Sequence, residues 1–423
     1  MPESNPPTSR KAPSRRLRVL LSAYACEPDK GSEPGTGWNM VCQLAGLHHV
    51  TVVTRANNRP AIEAALATAP IETLHFVYYD LCKLLLVLKK SGLLSTQLFY
   101  FLWQLGLARA VRRMFDREDF DIVHHLTFNS FEIPPFIFSY FHAKSVFGPV
   151  GGGQLAPGSL AATLDGKSRI MEGCRGSRRL LALQNPFLRS VLRKCSLVIF
   201  ANEETAGLLE PFCPAKTGVM IDVGVDPAQF SPATVPGSGD RLLFAGNFQA
   251  RKGTRLLLLA FEAALAKNPR LHLTMVGDGK LLDREKAWVA SKALTSNVEF
   301  TGRINHTQMT QEFAKAGIFV FPSLRDTSGA IVLEAMSSEL ATVCLNHQGA
   351  ALIVDNRSGL KVQISSLNGT IQSLAEAILG LSADETMRKN IGTHARQRTI
   401  DRFSWTVKAR EITDFYRSIV GDS

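Results

Sequence analysis

The sequence predicts an α/β protein made of two consecutive, doubly wound parallel domains, and three observations lead there. Short apolar runs alternate with helical patterns along the chain. The alternation runs twice, broken by a stretch rich in Pro, Gly and Asp at 214–237. At 423 residues the chain is too long for one ordinary core.

Taken in order, Leu17–Ala23 and Val50–Thr54 read as buried strands, with a helix from about Thr36 to Leu47 between them. Leu74–Tyr79, Ile122–His125, Ser145–Phe147 and Leu197–Ala201 read as further strands. The pattern restarts with strand Arg241–Ala245, helix Arg255–Ala266, and strands Leu271–Val276 and Val298–Phe300. Helix Thr307–Ala316, strand Ile318–Pro322, helix Ile331–Ser338, strand Thr342–Leu345 and helix Ile371–Leu381 complete it. A hinged linker is expected near 214–230, giving domains 17–217 and 218–403. Residues 1–16, rich in Pro, Ser and Arg, are expected to be a disordered basic tail. In such folds ligands sit beyond the carboxyl ends of the strands, and two facing domains leave a cleft there.

Composition narrows the classes. With 45% apolar and 20% charged residues, the chain is not a largely disordered one. A net charge of +11 favours anionic partners: nucleotides, phosphates, nucleic acid or an anionic membrane face. The seven cysteines include no C-x-x-C pair, which argues against a disulfide framework or structural zinc and points to a reducing, cytoplasmic compartment. The apolar run after Arg15 and Arg16 is cut by Arg18 and runs into Glu27. It reads as a first strand rather than a secretory signal.

Two basic regions have alternative readings. Ser91–Ala108 has 18 uncharged residues, yet is too polar for a confident membrane span. It is either a core helix or one that touches the inner leaflet through Phe99, Tyr100, Phe101, Trp103 and flanking cations. Gly166–Lys194 carries a net charge of +7 and reads as a solvated basic face or a membrane-facing one. No nucleic-acid motif accompanies it, so no nucleic acid partner is expected.

No G-x-G-x-x-G follows the first strand and no Walker A sequence occurs, which demotes nicotinamide chemistry and P-loop hydrolysis. Gly246-Asn-Phe-Gln-Ala-Arg-Lys-Gly253 follows a strand and opens a helix. Backbone N–H groups there, with Arg251 and Lys252 beside them, make a diphosphate site. A basic first turn opposes the helix dipole, and such local conflicts mark sites. Asp326 lies in a loop after a strand and Glu334 in the following helix, at the same strand end. A loop carboxylate there takes sugar hydroxyls and a helix carboxylate a ribose diol. Burying Glu334 between Leu333 and Ala335 without a partner is costly. His124 and His125 end a strand and alternate faces, so one of the two is expected to point into the cleft.

The order Gly246…Arg251-Lys252-Gly253, Val276-Gly-Asp-Gly279, Phe300-Thr-Gly302, Phe321-Pro-Ser323 and Asp326-x7-Glu334-Ala-Met resembles the retaining family 4 glycosyltransferases of the GT-B fold. Ala25-Cys-Glu-Pro28, Gly31-Ser-Glu-Pro-Gly-Thr-Gly-Trp38, Asp121-Ile-Val-His-His-Leu-Thr127 and Phe147-Gly-Pro-Val-Gly-Gly-Gly153 are similar to a bacterial polysaccharide or glycolipid branch of that family. So is the ending Phe403-Ser-Trp405. The resemblance spans residues 17–418.

It implies two facing Rossmann-like domains, an acceptor-side one and a nucleotide-sugar-binding one. Residues 404–423 would cross back as a helix to complete the first. It further implies transfer of a hexose from a nucleotide-diphosphate sugar to a saccharide or lipid-linked acceptor, with retention and without metal or other cofactor. Arg251, Lys252 and Gly246 would hold the diphosphate, Glu334 the ribose, Asp326 the donor sugar, and Arg303 the base through its backbone. The loop with Gly31, Gly35 and Gly37 would approach from the other domain, and His124 or His125 would position the donor. Peripheral contact with the inner membrane face is also expected. Three departures stand out: Asp326 where the family usually has Glu, Asn247 where it often has Arg, and Val223-Gly-Val-Asp226 where Asn-Gly-Val-Asp is usual. The first two keep a non-catalytic, nucleotide-sugar-binding or membrane-assembly alternative open.

Overall fold

The computed structural model describes residues 15–213, 216–230, 232 and 237–421, so residues 1–14 of the expected tail lie outside the described residues. The first sheet contains β1 (Arg18–Ser22), β2 (His49–Arg55), β3 (Leu74–Tyr79), β4 (Ile122–His125), β5 (Lys144–Val150), β6 (Leu197–Phe200) and β7 (Lys216–Val219). All are parallel, in the order β3-β2-β1-β4-β5-β6-β7. The second sheet contains β8 (Ser238–Ala245), β9 (His272–Val276), β10 (Val298–Gly302), β11 (Ala316–Phe321), β12 (Ala341–Leu345) and β13 (Leu360–Val362). It is also parallel, in the order β10-β9-β8-β11-β12-β13. The two doubly wound domains are as the sequence predicts.

Helices cover both faces of each sheet, so successive residues of one strand enter different cores. On β1, Val19 and Leu21 join one cluster while Leu20 joins the opposite one. On β8, Leu242 and Phe244 face one way, Leu243 and Ala245 the other.

The domain boundary falls later than expected. β7 still pairs with β6, so the first sheet runs to Val219 rather than ending at 217. Met220 packs in the first domain's core and Ile221 in the second's. The chain crosses back after Phe403, and the two crossings lie side by side: Val225 N–H donates to Phe403 O (2.9 Å) and Trp405 N–H to Val225 O (3.2 Å). Helix Trp405–Val420 then returns to the first domain, burying Ala409, Ile412 and Tyr416 there. The expected crossing helix is thus present.

Two other elements differ from expectation. The first helix is Ser32–Ala45, one turn earlier than about Thr36, because Pro34 is compatible with a first turn that has no N–H to satisfy. The uncharged segment becomes helix Thr96–Met114, and its aromatics Phe99, Tyr100 and Trp103 are core residues. That overturns an aromatic contact with the leaflet for those three; only Phe101 is exposed. Among the described residues no helix is long and apolar enough to cross a membrane.

Candidate active site

A cleft of about 640 Å³ opens between the domains. Its walls come from segments that follow β1, β4 and β5 of the first sheet and β8 and β11 of the second. The pairs β1/β4 and β8/β11 are where strand order reverses, the crevice position for ligands in doubly wound sheets.

The second domain supplies the chain's diphosphate candidates. After β8 the backbone passes Gly246 and turns through Ala250–Lys252 into helix Thr254–Leu265. Gly253 makes the turn possible. Its φ is +71°, and a Cβ would meet Pro322 O at 2.0 Å. Gly246, Arg251 and Lys252 all line the cleft. Lys252 is almost wholly covered, and its ammonium pairs with the Asp326 carboxylate. Burial pulls the lysine below its ordinary range, and Asp326 partly restores it. Arg251 Nη1 lies 3.9 Å from the other Asp326 oxygen and donates to Arg325 O at 3.3 Å. Asp326 is therefore the counterion of two cations rather than a solvated loop acid.

Glu334 enters from helix Ala330–Ser337, opened by Gly329 at φ +87°. It borders both the cleft and an adjoining pocket of about 300 Å³ that Arg303, Asn305 and His306 line. Gly246 is shared by the same two spaces. Among the described residues no group bonds the Glu334 carboxylate, and burial raises its pKa to about 7. A half-buried carboxylate without a bonding partner at the junction of two pockets is a costly feature unless a ligand donates to it.

The first domain corrects several expectations. His124 and His125 do not reach the cleft; both are fully buried. His124 Nε2–H donates to Gly148 O (2.7 Å), and Nδ1 accepts from Tyr416 OH (2.6 Å). His125 faces the opposite side, bonded to Tyr100 OH (2.7 Å) and Ser22 Oγ (3.0 Å). Burial depresses their pKa values to about 4 and about 3, so both stay neutral. Alternation was the right rule, but helices cover both faces of β4. These histidines join strands and helices. Tyr416→Phe is accordingly expected to cost about 1 kcal/mol of stability and to leave turnover per folded molecule unchanged. A fall in kcat without loss of stability contradicts that role.

Gly31, Gly35 and Gly37 do not line the cleft either. Gly35 and Gly37 let helix Ser32–Ala45 pack against the chain that follows β1, since a Cβ at Gly35 would meet Lys30 O at 1.9 Å and one at Gly37 Ala25 O at 2.2 Å, whereas a Cβ at Gly31 would meet nothing within 4 Å. Ser32, Glu33 and Thr36 are the residues presented. Glu33 accepts from the Phe128 N–H, and burial raises its pKa to about 7. Ser32 and Phe128 both hold positive φ (+60° and +64°), strain of the kind concentrated at sites.

Asp222, on the interdomain crossing, also borders the cleft. Its Oδ1 is buried without a partner, and burial raises the group to about 6. Nothing in the sequence marked Asp222, because only the crossing brings it to the strand ends. Glu33 had a signal: it stands inside the glycine loop.

Polar contacts tie the domains together across the cleft. Gln154 Nε2 donates to Thr327 Oγ1 (2.7 Å), Gln348 Nε2 to Leu155 O (2.8 Å), and the Gln348 N–H to Glu204 Oε1 (2.8 Å). Gln348 Oε1 accepts from the Asp326 N–H (2.8 Å), which links the closure contacts to the candidate sugar-binding acid. No group of three or more His, Cys, Asp or Glu suited to a metal occurs among the described residues.

Residues 226–398 match the family described as glycosyl transferases group 1. The phosphatidyl-myo-inositol mannosyltransferase of Mycolicibacterium smegmatis is 26% identical over 48% of this chain and 52% of its own length. The alpha-maltose-1-phosphate synthase of Mycobacterium tuberculosis is 29% identical over 49% and 53%. The chain spans about half the length of the curated relatives it matches. Among solved structures, sucrose-phosphate synthase from Thermosynechococcus elongatus superposes with a TM-score of 0.66 at 17% identity, covering 96% of this chain and 100% of that one. Anabaena HepE in complex with UDP and glucose gives 0.60 at 15%, covering 95% and 100%. The fold is that of these GT-B structures.

Proposed function

We propose that this chain, whose residues 226–398 are a group 1 glycosyl transferase domain, moves a hexose from a nucleotide-diphosphate sugar to an acceptor hydroxyl. The acceptor is a saccharide or a lipid-linked saccharide in polysaccharide or glycolipid synthesis, transfer retains the anomeric configuration, and no metal takes part. The observation that carries the reading is the convergence of Arg251, Lys252 and Asp326 with the unpaired Glu334 at one interdomain strand end. The similarity to a phosphatidyl-myo-inositol mannosyltransferase and an alpha-maltose-1-phosphate synthase, and the UDP in the Anabaena structure, agree with it.

The roles follow from charge. Lys252 and Arg251 neutralise the leaving diphosphate, whose charge grows as the bond to the sugar breaks. A diphosphate at Lys252 displaces Asp326 from its ion pair and frees that carboxylate for donor-sugar hydroxyls. The open first turn of helix Ala330–Ser337 adds N–H donors at the same end. Glu334 accepts from the ribose diol, and Arg303 borders the base in the adjoining pocket. The neutral, buried His124 and His125 supply no general base. That suits a front-face reaction in which the departing phosphate takes the acceptor's proton.

The reading is tested by titrating UDP, GDP and ADP and their sugars, with and without Mg²⁺. One nucleotide is expected to bind without metal. Its affinity should rise with pH through about 7, because Glu334 accepts the diol only as a carboxylate. Stability moves oppositely. A carboxyl raised above its ordinary 4.5 favours the fold while protonated, and that contribution is lost as pH rises through about 7. Binding to several nucleotides without transfer from any donor would favour the non-catalytic alternative.

Peripheral contact with an anionic membrane belongs to the same proposal. Leu84, Val87 and Leu93 are strongly exposed beside Lys83 and Lys90, and Leu98 and Phe101 continue the apolar surface. Flotation with anionic vesicles at low salt, lost at high salt, is expected. Failure to float at low salt removes this part.

A further inference from the structure

Helix Gly166–Leu183 carries Arg175, Arg178 and Arg179 on adjoining turns. The sequence treats them alike, as part of a basic face; the structure does not. Arg178 pairs with Glu132, and Arg179 donates to Gly153 O. Arg175 faces the cleft, and its buried Nε has no hydrogen-bond partner. The nearest anion is Glu172, 3.7 Å away. That carboxylate is already engaged: Oε1 accepts from Arg325 Nε at 2.9 Å, and Oε2 accepts from the Ala156 N–H at 3.4 Å. Arg325 lines the same cleft from the second domain, immediately before Asp326. Two guanidinium groups from different domains therefore share one carboxylate beside the loop that carries the candidate sugar-binding acid. Arg251 and Lys252, the diphosphate cations, have Asp326 as their own counterion.

We infer that Arg175 and Arg325 form a second anion subsite in the cleft, and that a substrate of this chain carries a carboxylate or phosphate ester there. An anionic group on the substrate supplies the acceptor atoms that Glu172 cannot give to both arginines. A guanidinium with free N–H donors binds carboxylate and phosphate alike in paired hydrogen bonds. The anion belongs either to the transferred sugar, as in a uronic acid, or to the acceptor, as in a sugar phosphate. The first case rests on the transfer reading above. The second does not require it.

The test is calorimetric binding to the full chain in two arms. One compares UDP-glucose with UDP-glucuronate and GDP-mannose with GDP-mannuronate. The other compares glucose with glucose 6-phosphate and glycerol with glycerol 3-phosphate, with and without UDP. In one arm the anionic member is expected to bind at least about tenfold more tightly than the neutral one. Arg175→Gln and Arg325→Gln should each erase the preference while UDP or GDP affinity stays the same. The arm that responds identifies the source of the anion. Equal binding of charged and neutral members in both arms overturns the inference, as does a preference that survives Arg175→Gln. Loss of nucleotide affinity alone in the variants means that the arginines only brace the closed cleft, and also overturns it. The transfer reading fails separately, on absence of nucleotide binding by the unaltered chain.

Discussion

Glu334→Gln is expected to weaken nucleoside diphosphate binding about 10- to 100-fold. Each hydroxyl donating to an ionised carboxylate is worth about 1.5–3 kcal/mol at a protein site, glutamine keeps one acceptor oxygen and so loses about one such bond, and 1.4 kcal/mol is about a factor of ten. The same change should leave the melting temperature equal or higher above neutral pH. The carboxylate is half-buried with no bonding partner among the described residues, and desolvation raises its pKa to about 7, so its ionisation opposes folding. This pairing of lost affinity with retained stability distinguishes a ligand group from a structural one. Nucleotide affinity within about twofold of the unaltered chain, at a pH where Glu334 is ionised, would contradict the ribose role. The pH dependence of binding should also flatten in the variant.

Lys252→Ala is expected to reduce turnover about 100- to 1000-fold, the scale of removing one preorganised group from a developing oxyanion, about 2.7–4 kcal/mol. Turnover is read as transfer, or as slow hydrolysis of the donor where no acceptor is supplied. The buried position of Lys252 between Asp326 and the helix start is what gives its charge this weight. In the variant, Asp326 keeps only Arg251, at 3.9 Å, and a diphosphate meets an unbalanced carboxylate. Lys252→Arg should recover little, since the covered pocket was shaped for an ammonium. Unchanged turnover in Lys252→Ala removes the diphosphate assignment.

The second domain was largely legible from its residues. Its candidate groups sit within a few residues of strand ends: Arg251 and Lys252 after β8, Asp326 after β11, Glu334 one helix further. A parallel strand followed by a helix fixes where the intervening loop lies, so short-range spacing was enough to place them together. The first domain was less legible for the same reason inverted. Its cleft wall is assembled from segments far apart in the chain, and Gly35 and Gly37 serve close packing rather than lining the cleft. Glu33 could have been chosen from within that loop, whereas Arg175 looked like one of eight positives on a basic stretch.

By itself, the sequence determined the two doubly wound domains and the clustering of cations and carboxylates at one end of the second sheet. These follow from periodicity and from charge next to strand ends, which are local properties. The tertiary structure decided what local rules leave open. Tyr416, 292 residues from His124, covers one face of β4, while Tyr100 covers the other, so both histidines are enclosed. The domain crossing brings Asp222 to the cleft, and closure of one domain on the other leaves Arg175 and Arg325 with one carboxylate between them. Burial and counterion count depend on what packs against a side chain from distant parts of the chain, and no window of the sequence contains both partners.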